Sequence, residues 1–168
     1  MGTGGNGGPA HMAGQLFEMM AGIHLLHVPY RGIGPALTDL LGGQVQVVFS
    51  SMPSSIGYIR AGKLRPLAVT AAARLAAMPD VPAVAESVPG YEVSTWYGIC
   101  APKNTPADVI DKLNNEIDTV LANPKFKARL ADFGAVPIAG SPGEFGKLIS
   151  KEIEKWGKVV RTAHIVAG

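Results

Sequence analysis

Short apolar runs alternate with amphipathic segments over the first part of the chain, and glycine or proline bounds most of them. The amphipathic segments predict helices over Ala10–Met20, Pro35–Leu41 and Ser54–Ala61. The apolar runs predict strands over His24–Val28, Val45–Phe49 and Leu64–Thr70. Val45–Phe49 is apolar on both faces, which is typical of a parallel sheet covered by helices on both sides. The alternation therefore predicts an α/β fold.

The remaining residues predict more helix than strand. Strands are predicted over Val93–Ala101 and Val136–Ala139, and helices over Pro106–Ala122, Lys125–Phe133 and from Pro142 to Ala163, with Ser141 and Glu144 as a capping box. The proline-rich residues 71–91 predict a passage with one short helix, Val84–Ser87. The simplest arrangement is a complete α/β lobe in residues 1–90, followed in residues 91–168 by part of a second lobe that is short of strands.

Composition excludes several classes of protein. Hydrophobic residues make up 47% of the chain and charged residues 17%, so a core can form and disorder is excluded. The net charge is only +2 and the basic residues are scattered, so we expect no nucleic-acid partner. No apolar run is long enough for a transmembrane helix, and the first residues lack the pattern of a signal peptide. Cys100 is expected to be a buried, inert thiol in a strand.

Polar or glycine-rich loops precede each of the first three predicted helices. They consist of Thr3, Gly4, Gly5 and Asn6; of Tyr30, Arg31 and Gly32; and of Ser50 and Ser51. Because ligands of open α/β sheets bind beyond the carboxyl ends of the strands, we expect these loops to converge at one edge, where N–H groups, hydroxyls and Arg31 suit an anion. Each loop also has a purely structural interpretation: a tight turn or mobile end, a solvent-facing arginine, or serine helix caps.

Residues for catalysis or cofactor binding are not evident. Gly2–Gly7 matches G-x-G-x-x-G, but no strand precedes it and Glu18 lies on a helix, so a nicotinamide or flavin cofactor is not expected. His11, His24, His27 and His164 lack metal-ligand spacing, so no metal is expected. His11 is predicted to be a local hydrogen-bonding partner near the glycine loop. Without a nucleophile elbow or converging carboxylates, the sequence does not favour an enzyme.

Longer motifs then follow one another along the chain. Residues 27–32 read HVPYRG and residues 35–45 read PALTDLLGGQV. AGKLRPLAVT follows at residues 61–70, MPDVPAVAE at 78–86, PGYEVSTWYG at 89–98, APKNTP at 101–106 and EIEKWGKVV at 152–160. Together, over nearly the whole chain, these motifs resemble the Bug family, the extracytoplasmic solute receptors of tripartite tricarboxylate transporters.

This resemblance implies a periplasmic-binding-protein-like fold in which two α/β lobes enclose a cleft. It implies that a small carboxylated solute binds at the three loops and passes to the membrane permease subunits, without chemistry or a cofactor, in the periplasm. Bug-family receptors are longer, so the chain is expected to comprise one complete lobe and an incomplete second lobe. Apolar faces left uncovered around Trp96, Ile117, Leu121 and Trp156 are then expected to produce a homo-oligomer, and a half-receptor that no longer binds solute is the alternative.

Overall fold

The computed structural model describes residues 1–163 and 165, which form an α/β structure. Its elements in chain order are β1 (Gly2–Thr3), α1 (Pro9–Ala21), β2 (Val28–Pro29), α2 (Ile33–Leu41), α3 (Met52–Arg60), a 3-10 helix (Val84–Glu86), α4 (Ala107–Ala122), α5 (Pro124–Asp132) and α6 (Pro142–Thr162). None of the helices in the described part of the chain is both long enough and apolar enough to cross a membrane.

The predicted helices are confirmed, and their ends have local causes. Pro9 occupies the first turn of α1, where its missing N–H costs nothing, and Gly22 ends the helix in the left-handed conformation at φ 67°. The Asn123 side chain accepts hydrogen bonds from the N–H groups of Lys125 and Phe126 at the start of α5. At the start of α6, Glu144 accepts from the Ser141 N–H at 2.8 Å, and its own N–H donates to the Ser141 hydroxyl at 3.2 Å. This is the predicted capping box.

The sheet is narrow, and its central strand lies where a loop was predicted. β1 pairs in parallel with β2, with Gly2 opposite Val28 and Thr3 opposite Pro29. On its other side, Gly2 forms a parallel bridge with Val48, and the Gly2 N–H donates to the Val47 carbonyl at 2.9 Å. The predicted strands His24–Val28 and Val45–Phe49 are thus reduced to a two-residue strand and a single bridge.

The other predicted strands are shorter still or missing. Of Leu64–Thr70, only Val69 forms a bridge, to Ala83. Val93–Ala101 and Val136–Ala139 contain no strand residue in the part of the chain that the structure describes. A strand depends on repeated hydrogen bonds from a partner distant in sequence. Among the described residues these segments make only isolated ones, such as that from the Val93 N–H to the Thr70 carbonyl at 2.8 Å, although their composition suits strands.

The chain divides into two compact units. The first contains Met1–Thr95 and the described residues from Lys155 onward, and the second contains Trp96–Glu154, so α6 contributes to both. The core of the first unit is formed by Ala13, Tyr91 and Val93, against which Phe17, Phe49 and Trp156 pack, among others.

The second unit buries less apolar surface than the amphipathic patterns predict. No residue of α4 is buried, although its sequence places six apolar residues on one face: Val109, Ile110, Leu113, Ile117, Val120 and Leu121. Trp96 packs edge-on against Phe145, with ring centroids 5.5 Å apart. The positions at which uncovered apolar faces were predicted, Trp96, Ile117, Leu121 and Trp156, are half-buried. The most exposed large apolar side chains of the second unit are those of Tyr97, Ile99, Val136 and Ile138. Cys100 is exposed and lies in no strand, so its prediction as a buried core thiol was wrong.

Candidate functional site

The three predicted loops leave the same edge of the small sheet. Gly2 is paired in parallel with both Val28 and Val48, so the chain continues in the same direction from all three segments. Beyond Gly2 comes the glycine-rich loop, which we define as residues 3–8. Beyond β2 come Tyr30, Arg31 and Gly32, and beyond Val48 come Ser50 and Ser51. The parallel register therefore produces the convergence that the sequence predicted.

The first two loops are joined directly by their backbones. The Tyr30 N–H donates to the Thr3 carbonyl at 2.9 Å, and the Gly32 N–H donates to the Gly4 carbonyl at 3.2 Å. A Cβ on Gly4 would lie 3.1 Å from the Ile33 nitrogen and 3.2 Å from the Gly32 carbonyl carbon. Gly32 itself has φ 108°, a conformation that other residues rarely adopt. Glycine at these two positions lets the loops approach each other closely.

Each loop leads into a helix whose N-terminus has no side-chain cap. Gly8, Gly32 and Ser51 are the N-cap residues of α1, α2 and α3, and none of their side chains makes a capping hydrogen bond. The first turns of these helices contain no acidic residue. Backbone N–H groups at helix N-termini carry partial positive charge and attract carboxylates. Arg31, which is exposed, adds a full positive charge to the second loop.

A tyrosine fixes the second loop to the helix that follows it. The Tyr30 hydroxyl donates to a carboxylate oxygen of Asp39 at 2.7 Å, between the end of β2 and the body of α2. The hydrogen bond to Asp39, together with partial burial and the negative charge of Asp39, raises the pKa of Tyr30 above its ordinary value. The phenol therefore stays protonated at neutral pH, and its donor is already used. The backbone N–H of Tyr30 is also used, since it donates to the Thr3 carbonyl.

The serines of the third loop bond mainly to one another. The hydroxyls of Ser50 and Ser55 both donate to the Ser51 carbonyl, and the Ser51 and Ser54 hydroxyls lie 3.0 Å apart. Ser51 occupies the N-cap position of α3, as one interpretation of the sequence expected, but its side chain does not cap the helix backbone. In the first turn of α3, Pro53 has no N–H and the Ser54 N–H donates to the Ser51 carbonyl at 3.1 Å, so any donation to a ligand from the backbone here would come from Met52.

Two histidines pack beneath the glycine-rich loop, an arrangement that the sequence did not predict. The rings of His11 and His27 are stacked, with centroids 4.0 Å apart and planes 6° from parallel. His11 Nδ1 accepts the Gly7 N–H at 3.0 Å, which confirms its predicted role as a local hydrogen-bonding partner. His27 Nε2 lies 2.6 Å from the Thr3 hydroxyl. Burial lowers the pKa of both histidines, and the neighbouring His11 lowers that of His27 further.

The predicted site residues differ in exposure. Asn6 and Arg31 are exposed, whereas Gly4, Gly5, Tyr30, Gly32, Ser50 and Ser51 are half-buried. Thr3 is completely buried, at 0% exposure, and its hydroxyl lies against His27. Its side chain therefore supports the loop from below in this structure. The stacking of His11 on His27 could not be predicted from their spacing, because it depends on the parallel pairing of β1 with β2.

Other polar groups do not form a comparable site. His24 lies at the surface, with Nδ1 3.3 Å from the carboxylate of Glu18. His164 lies outside the described residues. Within residues 1–163 and 165, no group of three His, Cys, Asp or Glu side chains could hold a metal ion. A cavity of about 280 Å³ in the second unit is apolar apart from one carboxylate; its lining residues are Ile99, Glu116, Ile117, Val120, Leu121 and Phe126. Such a lining does not suit an anion.

Comparison with known proteins identifies the family. Residues 1–165 match the profile of the tripartite tricarboxylate transporter family receptor, TctC. A Pseudomonas sp. (strain P51) protein, the UPF0065 protein in the tcbD-tcbE intergenic region, is 39% identical over 93% of this chain. The UPF0065 protein in the clcB-clcD intergenic region of Pseudomonas knackmussii is 34% identical over 93% of it. The structure of R. palustris Rpa4515 with adipate superposes with a TM-score of 0.92 at 36% identity, covering 98% of this chain.

The chain belongs to the TctC receptor family, also known as the Bug or UPF0065 family, and its fold is the α/β fold of periplasmic binding proteins. Members of this family are solute-binding receptors. The chain spans only about half the length of some of these proteins: 47% of the strain P51 relative and 56% of Rpa4515. It spans 94% of the P. knackmussii relative.

Proposed function

We propose that this chain binds a small carboxylated solute at the three converging loops of its first unit, as part of a periplasmic receptor. The receptor passes the solute to the permease subunits of a tripartite transporter, and no chemical step takes place. The observation that supports the proposal is that three parallel segments lead, at one edge of the sheet, into helices with no acidic residue in their first turns, and that the exposed Arg31 lies in the second of these loops. Such N-termini favour a carboxylate through both hydrogen bonds and charge.

The family supports the choice of ligand class. Rpa4515, of similar fold, was solved with adipate, a dicarboxylate. In our proposal one carboxylate of such a solute lies against the glycine-rich loop at Gly4 and Asn6, since the N–H groups of Gly5, Gly7, Gly8 and Gly32 already donate within the protein, and Arg31 attracts it. Asn6 and the start of α3 at Ser51 provide further donors. Ser50, Tyr30, Gly4, Gly5 and Thr3 give these groups their positions.

The division of the chain into lobes is part of the same proposal. We assign residues 1–90 to one lobe of the receptor. We assign residues 91–168 to the returning part of the other lobe, that is, the strand and C-terminal helices with which the chain comes back to it. The boundary lies close to the division between the compact units, which falls after Thr95. In this assignment α6 belongs to the returning part, although its last turns, from Lys155 onward, pack with the first unit.

A calorimetric titration with a panel of dicarboxylates tests the binding proposal. Adipate and shorter or longer dicarboxylates are titrated into the chain, and its Arg31→Gln variant is titrated alongside. We expect one length of acid to bind. Replacing Arg31 should weaken the affinity for that acid roughly tenfold, which corresponds to about 1.4 kcal/mol of binding free energy. Arg60→Gln is the matched control, because Arg60 is an exposed arginine in the last turn of α3. Equal affinities of the two variants would contradict the assigned site.

The second candidate function is that of a half-receptor that associates with itself and binds no solute. The observation that favours it is the exposure of large apolar side chains in the second unit, led by Tyr97 at 85% and Val136 at 80%. Side chains of this size at the surface favour association with another apolar surface. A stable oligomer that takes up no acid of the panel would support this function over solute delivery.

A further inference from the structure

The stacked pair of His11 and His27 contacts the glycine-rich loop at two points. His11 Nδ1 accepts a hydrogen bond from the Gly7 N–H at 3.0 Å. His27 Nε2 lies 2.6 Å from the Thr3 hydroxyl, which in turn accepts from the Gly5 N–H at 3.4 Å. One ring therefore contacts the start of the loop through Thr3, and the other contacts its end through Gly7.

The contact with Gly7 requires a neutral His11. An imidazole nitrogen accepts a hydrogen bond only when it carries no proton, so the proton of His11 lies on Nε2. In the imidazolium form both nitrogens are donors, and Nδ1–H would then face the Gly7 N–H. Protonation thus replaces an attraction with a repulsion at the end of the loop.

The charged groups around the pair also bear on its protonation. A charge on either ring would lie beside the other ring, with the centroids only 4.0 Å apart. The Met1 amino group, which donates to the Leu26 carbonyl at 2.6 Å, adds a positive charge that lowers the pKa of His27. His11 lies in the first turn of α1, where the helix dipole opposes a positive charge. Glu18, buried on α1 and paired with His24, acts in the other direction and raises the pKa of both rings.

We propose that His11 and His27 are positioning residues that keep the glycine-rich loop in its binding conformation while His11 is neutral, and that protonation of His11 releases the loop. This inference rests on the proposed function, because the loop positioned in this way is the one assigned to the carboxylate. Solute affinity then falls as the solution becomes acidic. Below the pKa of His11, the expected loss is about tenfold for each pH unit, since only the neutral form is competent to bind.

The first part of the test uses the chain without solute. Magnetic resonance follows the ring protons of His11 and His27 and the amide proton of Gly7 from pH 8 to pH 5. We expect the Gly7 amide to shift with the same midpoint as the His11 ring. In His11→Asn, whose amide oxygen can accept from Gly7 but does not titrate, that shift should disappear. His24→Asn is the matched control, because His24 is exposed and contacts Glu18 rather than the loop. A Gly7 amide shift that does not follow the His11 titration, or that is unchanged in His11→Asn, would overturn the proposal.

The second part measures adipate affinity of the same three proteins at pH 8 and pH 5. The chain itself and His24→Asn should lose affinity on acidification by a larger factor than His11→Asn. Protonation of adipate itself changes the affinity of all three proteins by the same factor, so it cancels in the comparison. Equal losses in all three, or tighter binding by the unaltered chain in acid, would overturn the proposal. If adipate binds at neither pH while the Gly7 amide still follows His11, the proposed function fails and the loop release stands.

Discussion

The hydroxyl of Tyr91 donates a hydrogen bond to the backbone carbonyl of Ala13 across 3.0 Å, in the core of the first unit. The two residues are 78 positions apart in the chain, and Tyr91 is completely buried. Burial raises the pKa of Tyr91 far above its ordinary value, so the phenol stays a donor throughout the physiological range. Since Ala13 lies on α1, the bond ties the helix that follows the glycine-rich loop to the segment after the 3-10 helix.

Removing this hydroxyl should lower the stability of the first unit without creating a cavity. We expect Tyr91→Phe to lower the free energy of unfolding by about 1 kcal/mol, the usual net contribution of a buried hydrogen bond. Tyr91→Ala should lower it by about 3 to 5 kcal/mol, because a large aromatic side chain is then missing from the core. Urea denaturation followed by circular dichroism measures both. Tyr97→Phe, at an exposed tyrosine, is the control and should change nothing.

A methyl group on Gly4 should damage binding more than folding. The added carbon would press on the backbone at Gly32 and Ile33, so the first two loops must separate. We expect Gly4→Ala to weaken carboxylate binding about tenfold or more, as a displaced binding group typically does. Gly34→Ala is the control: a Cβ there meets nothing within 4 Å, and alanine suits α2 better than glycine. Calorimetry and thermal unfolding of both variants separate the two effects, and equal binding by the two would contradict this explanation.

Stability should fall in strong acid, in part through Glu86. Its carboxylate is bonded to the Arg74 guanidinium at two points, both 2.8 Å, and it accepts the Ala83 N–H at 2.9 Å. The hydrogen bonds from Arg74 and Ala83 lower the pKa of Glu86 from 4.5 to about 2. Because the folded pKa lies below the unfolded one, the stabilisation is complete above pH 4.5 and is lost as the pH falls towards 2.

The Glu86→Gln variant checks this assignment. Its unfolding free energy should depend less steeply on pH between 4.5 and 2 than that of the unaltered chain. Since the pair is exposed, the difference should shrink in high salt. Glu92→Gln, at another exposed glutamate of the first unit, should keep the original slope. An unchanged slope in Glu86→Gln would show that the ion pair does not contribute.

Self-association should depend on the exposed apolar side chains of the second unit. Ile99 and Ile138 are 74% and 72% exposed. We expect the chain to form an oligomer at micromolar concentration, and Ile99→Lys with Ile138→Lys to shift it towards the monomer, because charge disfavours an apolar contact. Light scattering after size exclusion measures the mass. Leu26→Lys is the control, since Leu26 is 77% exposed but lies in the first unit. A monomeric unaltered chain would contradict the expectation.

The helices could be predicted from the sequence because their signals are local. Pro9 and Gly22 bound α1, Asn123 precedes Pro124 at α5, and Ser141 and Glu144 start α6. Each of these signals acts within a few residues of its own position. Burial was less predictable: the apolar stripe of α4 was recognised, but whether a stripe is covered depends on residues elsewhere.

The strands and the details of the site depend on distant parts of the chain. Gly2 and Thr3 were predicted as loop because glycine-rich sequence disfavours strands, yet the neighbouring segments at Val28 and Val48 pair with them. The loops could be assigned to one sheet edge from their order alone. The stacking of His11 on His27 and the burial of Thr3 follow from that pairing. Pairing between distant segments cannot be recognised from the residues around each segment.

Carboxylate binding at the three loops is the central claim, and a solute titration observed residue by residue tests it most directly. Adipate is added to the isotopically labelled chain up to about 10 mM, enough to occupy a site of millimolar affinity, and the backbone amide shifts are followed. The account predicts saturable shifts at Gly4, Gly5, Asn6, Arg31, Gly32 and Ser51, and none of comparable size within Trp96–Glu154. Shifts centred on the apolar cavity of the second unit, or no saturable shift at all, would contradict it.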